Sequence, residues 1–465
     1  MSLVPANTPD SPTTGPAPRK LWSVGTLTYT TAGLAILFCW LLWGDFTWSM
    51  KDRAIPPTIS LLVKKFGASD TFAAVFLGSL PTVFSMFVGP IISYKSDRYR
   101  SRWGRRIPFL LASTPFMVLG LIGLAFSPAM GTGVGKWLGH PSIGINNWVL
   151  LFFVVFWIIF TLASTVSNGL YGALVNDVVP QPLLGRFFGL FRALSLIAGI
   201  IFFDEFFGKA ATLYVWIFLS LAALYGFGTV LMCLKVKEGE YPPHVPMDEG
   251  RSTRGFFATA KTYFQECFGK EYYWWFFGAT TLSGLAGIPF NFFCVFYSTS
   301  IGMSPEIYGK CVAMTYVVSL VLAYPIGWLA DRFHPLRLFL ATMIVGSLVS
   351  LASYLFVHDV WTFGVALVVS GVVGGTGLTA SASLGQRLLP RAEFAQFASA
   401  GGIIWGVASM LLPPIVGIFL DHTHHNYRYT FLMGADLGFL GSAALLVLHS
   451  KFMALGGPKN YIPPE

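Results

Sequence analysis

Charge is what this chain has least of. Only 11% of its 465 residues are Asp, Glu, Lys or Arg, against about 25% in soluble domains. A water-facing surface needs more charge than that, so a large soluble protein is excluded. Cysteine is also sparse. Cys39, Cys233, Cys267, Cys294 and Cys311 are odd in number and scattered. They form no CxxC or metal-ligand spacing, and read as small apolar residues rather than a disulfide frame. No phosphate-binding loop appears, which argues against an ATP-driven pump. No nucleophile–base pair or metal motif marks the loops, which argues against a membrane enzyme or sensor.

What the chain has instead is apolar length. Hydrophobic residues make up 54%, with 43 Phe and 14 Trp, and the mean hydropathy is +0.65. Apolar runs repeatedly exceed the ~20 residues that cross a bilayer as helix. Spans are expected to begin near Tyr29, Thr71, Ile107, Asn147, Arg186 and Ala211, with a Gly-rich loop before the fourth. After a polar connector, others are expected at 272–300, 308–330, 336–357, 361–384, 395–420 and 429–449. The predicted fold is therefore all-α: about twelve membrane helices in two six-helix bundles, at 29–235 and 272–450. Residues 1–28 read as a disordered tail, 236–271 as a linker with an amphipathic surface helix over 256–268, and 451–465 as a second tail.

The formal net charge of +9 belongs to loops beside apolar spans, not to a nucleic-acid surface. Residues 89–110, GPIISYKSDRYRSRWGRRIPFL, gather Lys95, Arg98, Arg100, Arg102, Arg105 and Arg106 around Asp97. A weaker echo, GWLADRFHPLR, occupies 327–337 with Asp331 and Arg332. Loops of this kind mark the cytoplasmic side, and an even span count places both termini there. PQPLLGRF at 180–187 likewise answers PRAEFAQF at 390–397. Two matched landmarks per half suggest parallel six-helix repeats with a substrate site between them near the midplane.

These residues resemble a known family. The Asp331–Arg332 loop is similar to the loop motif of the major facilitator superfamily. In the first half Pro90 lies seven residues before Asp97, Gly104 seven after it, and Pro108 four further on. SRWGRRxPF resembles the glycoside–pentoside–hexuronide cation symporters and the plant-type sucrose/proton symporters. ALVND at 173–177 is similar to the fourth-helix acid motif of the sucrose symporters, and Tyr171, Asp177, Arg186 and Arg192 fall on a glycoside-symporter pattern. Two residues depart: Ile107 stands where these families usually place Arg or Lys, and Tyr171 stands where the sucrose symporters place an arginine. The resemblance implies a proton-coupled sugar or glycoside symporter working by alternating access. The alternative is a proton-coupled antiporter exporting amphipathic small molecules.

An ionisable residue inside a membrane span is a functional candidate by default. Asp45 lies midway along the first span, and helical spacing puts Asp45, Trp48 and Asp52 on one face. Such a face offers carboxylates to hydroxyls and a ring to the apolar side of a sugar. The plainer reading places Asp52 with Lys51 or Arg53 near the outer boundary. Asp177 is either a proton acceptor or an ion-pair partner of Arg186 or Arg192. Asn168, Tyr171, Asn291, Thr376 and Thr379 either line the cavity or bond between helices. Asp97, Arg98, Gly104, Arg105, Arg106, Asp331 and Arg332 are gate candidates, the carboxylates expected at a neighbouring helix N-terminus. His422, His424 and His425 with Asp421 read as a solvated loop, and no metal or cofactor is expected. The expected coupling ion is H+, with Na+ the competitor. The expected partners are a sugar or glycoside and the lipid bilayer, the state is monomeric, and the location is the cell membrane.

Overall fold

The computed structural model describes residues 21–138, 144–240, 265, 267–390 and 394–464. Long helices dominate it: α1 Thr31–Lys65, α2 Asp70–Arg98, α3 Ile107–Leu138, α4 Ile145–Val178, α5 Gln181–Ile201, α6 Ala210–Lys235, α7 Glu271–Ser300, α8 Pro305–Phe333, α9 Pro335–Phe356, α10 Val360–Ser381, α11 Phe394–His422 and α12 Tyr429–Ala454. α5 and α6 run on through a π turn and a 3-10 turn as one helical stretch of 55 residues. At 1.5 Å per residue that is about 80 Å, far more than a ~30 Å hydrocarbon layer. The packing shows two crossings. α5 runs parallel to α1, with Phe187 on Phe38 and Ser195 bonded to Arg53. α6 runs antiparallel to it, with Gly228 on Thr47 and Gly44 on Met232. The chain therefore turns back at 202–209.

Small residues let these helices approach. Gly120, Gly123 and Gly131 of α3 pack on Phe160, Phe156 and Val149 of α4. In the second half Gly371 and Gly375 of α10 face Thr315 and Ser319 of α8, and Gly438 of α12 faces Ser347 of α9. Without a hydrophobic drive between helices in lipid, close backbone contact supplies the cohesion. The Gly-rich segment expected as a loop before α4 is thus the last turns of α3, its glycines serving contact with α4.

The expected disordered tail also needs correction. Trp22–Val24 pairs antiparallel with Leu27–Tyr29 around a two-residue Gly25–Thr26 turn, Gly25 taking φ 54°. Glycine at that position suits a tight hairpin. Trp22, Leu27 and Tyr29 pack on the core at the start of α1, and the Glu240 N–H donates to Thr26 Oγ1 at 2.8 Å. The rest of that tail, the surface helix expected at 256–268 save its last residues, and most of the linker lie outside the described residues.

Three apolar cores place the halves. One core at the basic-loop end belongs to the first half, from Leu34 to Val236, and another to the second half, from Cys267 to Phe452. The largest joins both halves and includes Leu62, Phe76 and Phe202 with Phe293, Val416 and Tyr427. It lies toward the far end, where α1 meets α2. The halves are fused there and have separate cores at the basic end.

Candidate functional site

Between the halves lies a cavity of about 880 Å³. Its second-half wall follows α7, α9 and α10 from mid-helix toward the basic end, reaching Phe276, Phe339 and Gly385. The two walls differ in chemistry. The first half contributes Asp52, Arg53 and Arg192, the only charged groups among the lining residues. The second contributes hydroxyls and amides such as Thr280, Ser319, Ser370 and Asn291, with aromatic rings from Phe290, Tyr308 and Tyr316.

Pro56 and Pro57 lie within α1 and line the same cavity one turn beyond Asp52. Arg53 does not anchor at an outer boundary. Its guanidinium crosses to Tyr316, donating to the phenol oxygen at 3.2 Å and lying 5.0 Å from the ring centroid, and also donates to Ser195 Oγ at 3.2 Å. Arg192 reaches across to Thr379 Oγ1 at 3.2 Å. Both arginines therefore tie the halves together at the cavity.

Asp52, Arg192 and Asn291 line the cavity, and Thr379 meets it through Arg192. Thr376 Oγ1 bonds its own helix at Val372 O, 2.9 Å. Asp45 and Tyr171 are buried elsewhere, inside the first half, beside the half-buried Trp48 and the exposed Asn168. Asp45 is fully buried, with Ser49 Oγ donating to Oδ1 at 3.2 Å and Oδ2 without a partner. Trp48 Nε1 donates to Asn168 Oδ1, and Tyr171 Oη donates to Leu41 O at 2.5 Å. The shared face of α1 exists, but two turns apart it meets different neighbours. Lys51, read from sequence as an outer anchor, is fully buried; its Nζ donates to Ser164 Oγ at 2.9 Å.

At the basic end, Asp177 pairs with Arg105 at 2.6 Å and Arg106 at 3.3 Å, rather than with Arg186 or Arg192. Arg186 is exposed on the second turn of α5. Asp97 pairs with Arg106 and, at 3.8 Å, Arg105. The acid at a helix N-terminus is Glu238, not Asp97. Its carboxylate accepts the N–H groups of Arg105, Arg106 and Ile107 at 2.8, 2.8 and 2.7 Å. Gly104, at φ 99°, leaves room for it, since a Cβ there would strike Glu238. Arg98 packs on the Tyr94 ring, and Arg332 on Trp328. The Asp331 side chain lies outside the described residues.

The far end holds a second junction, which the sequence reading left as a solvated loop. Asp70, fully buried, accepts from Lys64 at 3.1 Å and Tyr427 at 2.7 Å, and meets His425 Nδ1 at 2.6 Å. Asp421 accepts from the N–H groups of Asp70 and Thr71 at 2.9 and 3.0 Å and from Thr71 Oγ1 at 2.6 Å. Burial, then the Asp70 hydrogen bond, pushes the Tyr427 phenol well above its ordinary range, so it stays a donor. The ligand atoms of Asp70, Asp421 and His425 lie within 4.8 Å of one another, but the Lys64 ammonium already neutralises Asp70.

The profile of the family described as MFS/sugar transport protein matches residues 44–418. The chain belongs to that family. Its fold and family are those of transporters, not enzymes. The relatives with curated names include a sucrose transport protein of Arabidopsis thaliana, 24% identical over 160 residues, covering 33% of this chain and 30% of that protein. A sucrose transport protein of Oryza sativa subsp. indica is 29% identical over 153 residues, 32% of this chain and 25% of that protein. The chain thus matches less than a third of the length of either. Among solved structures, a bacterial homologue of the human lysosomal transporter Spinster, inward-facing and unoccupied, superposes with TM-score 0.63 at 12% identity, covering 93% of this chain and 98% of that one. A D-xylose–proton symporter gives TM-score 0.61 at 14% identity over 89% and 96%.

Proposed function

We propose that this transporter carries a sugar or glycoside with protons by alternating access, with the cavity between the halves as its substrate site. The observation that carries this is the pairing of walls. Asp52 and Arg192 offer charged hydrogen-bond partners to hydroxyls, while opposing hydroxyl and aromatic groups suit the polar rim and apolar face of a pyranose ring. A volume near 880 Å³ falls within the ordinary range of small-molecule sites. The names of the sucrose transport proteins among its relatives support the same substrate class.

The positive-inside rule makes the basic-loop end cytoplasmic. The fused core and the Asp70–Asp421 junction then close the outer side, and the conformation is inward-facing. The Glu238, Asp97 and Asp177 contacts lock the basic loop to the first half, where the loop can act on exchange between states. Protons are favoured over sodium as the coupling ion by the geometry at Asn168. Asn168 Oδ1 is turned to the Trp48 indole N–H, and among the described residues the Asp45 carboxylate is met by a single hydroxyl, Ser49, a sparse oxygen set for a hard cation.

Counterflow with a panel of sugars in proteoliposomes tests the substrate class; the expected result is saturable exchange of at least one glycoside. Ion substitution tests coupling. Uptake that follows a sodium gradient at fixed pH, and ignores a pH gradient without sodium, contradicts the proton assignment.

A further inference from the structure

Among the described residues, two fully buried ionisable groups on α1 make no ion pair, although Asp52 acts on Lys51 from a greater distance. Lys51 is fully buried. Its ammonium donates to Ser164 Oγ at 2.9 Å and lies 5.5, 5.6 and 5.9 Å from the ring centroids of Trp48, Phe160 and Tyr225. Among the described residues no carboxylate lies within ion-pair distance of it. Asp45, also fully buried, keeps Oδ2 without a partner. Lysine is almost never fully buried unless paired, and an isolated buried charge of either sign is costly.

A small void lies at a level between them, lined by neighbours of each but by neither group itself. Six residues of helix separate the two, about 9 Å of rise. Between their surroundings lies a void of about 10 Å³ lined by Gly44, Trp48, Ser167, Tyr171 and Tyr225, among others. That is close to the room one water needs. Trp48 and Tyr225 are also walls of the Lys51 cage, and Gly44 adjoins Asp45. The next residue after Lys51, Asp52, lines the cavity, so Lys51 stands nearer the cavity along α1 and Asp45 deeper.

We infer that Lys51 and Asp45 form a buried proton-exchange pair, with Lys51 relaying protons between the level of the sugar cavity and Asp45. The inference rests on the proton-coupled reading above. In the transfer, handed on through water and the hydroxyls of Ser167, Tyr225 and Thr229 that line the void, one N–H bond of the Lys51 ammonium breaks, each carrier gives up one proton as it takes another, and an O–H bond forms on the Asp45 carboxylate. An ammonium and a carboxylate become an amine and a carboxylic acid, with total charge and proton count unchanged. The neutral pair needs no counter-ion, so the dry surroundings favour it. A second proton taken at the lysine gives a net positive pair, which is the loaded state. The titratable groups facing the pair are Tyr171 from α4, Tyr225 and Cys233 from α6, and Asp52 from α1 itself.

The test uses the full-length protein in proteoliposomes with trapped pH indicator and radiolabelled sucrose. In Lys51→Met, accumulation driven by a pH gradient is expected to fall at least tenfold, and the pH profile of sucrose counterflow to flatten. Removing the stranded carboxylate as well, in Lys51→Met/Asp45→Asn, is expected to raise counterflow above the single variant while accumulation stays lost. A merely structural lysine would leave the pH profile and the proton-to-sucrose ratio as in the wild type, and that result overturns the inference. So does a folded double variant whose counterflow is no better than that of Lys51→Met. Sucrose flux without proton movement in the wild type would instead contradict the coupling reading itself. Intact wild-type coupling that survives in Lys51→Met contradicts the relay alone.

Discussion

The first half brings charge into its interior and onto the cavity: Asp45 and Lys51 are buried among its helices, and Asp52, Arg53 and Arg192 face the space between the halves. Among the described residues, the second half brings none to that space. Its lining is hydroxyl, amide, glycine and ring, and its histidines and arginines stay at the helix ends, as with His334, Arg337, His449 and Arg428. On the proposed reading, the two halves divide the labour. A charged wall can carry ion chemistry and the strongest hydrogen bonds, while a neutral wall shapes the substrate's seat.

The division predicts unequal costs. Neutralising a cavity charge should cost most. Asp52→Asn and Arg192→Gln are each expected to weaken sugar binding about 10- to 100-fold, the size of a lost hydrogen bond to a charged group, measured by binding to purified protein. Next comes the junction between the halves. Asp70 has three partners, and Asp70→Asn should weaken the far-end closure. The expected outcome is about a tenfold rise in labelling of a cavity cysteine from that side, a modest population shift. Single hydroxyl losses on the second wall, such as Ser319→Ala or Thr280→Val, should change affinity only about 2- to 5-fold but reorder preference among sugars.

The smallest effect expected concerns the rim of the second half. Burial, then Arg387, Arg337 and His449, lowers the His334 pKa from 6.5 to about 4. His334 Nδ1 accepts the Leu336 N–H at 3.3 Å and caps α9 as a neutral ring. The folded state therefore binds fewer protons than the unfolded one between these values. The stability this gives is full above pH 6.5 and is lost as pH falls toward 4. Acidifying from pH 7 to 5 should lower the unfolding temperature by about 1–2 °C more in wild type than in His334→Asn.

Much of the fold was legible in the sequence, because bilayer thickness sets helix length and apolar runs report it directly. The duplicated loops marked the halves. The site was legible in part. Asp52 and Asn291 were named as cavity candidates because polar groups in spans are conspicuous, whereas Arg192 was read as an ion-pair partner of Asp177 and lines the cavity instead. Arg53 and Lys51 were misplaced because their run of charges looks like a boundary; only the neighbours from α4, α5 and α8 show one crossing the cavity and the other buried. Glu238 went unnoticed among the charges of the linker, its role depending on the left-handed Gly104 and the three N–H groups beyond it. Asp70 and His425 lie 355 residues apart, and no local pattern reports such a meeting.

Simultaneous measurement of proton and sugar flux in one set of proteoliposomes tests the division of labour most directly, comparing Asp45→Asn with Ser319→Ala. The account predicts that Asp45→Asn loses gradient-driven accumulation while exchange continues, and that Ser319→Ala alters sugar preference at an unchanged proton-to-sugar ratio. An altered ratio in Ser319→Ala, together with normal accumulation in Asp45→Asn, would contradict it.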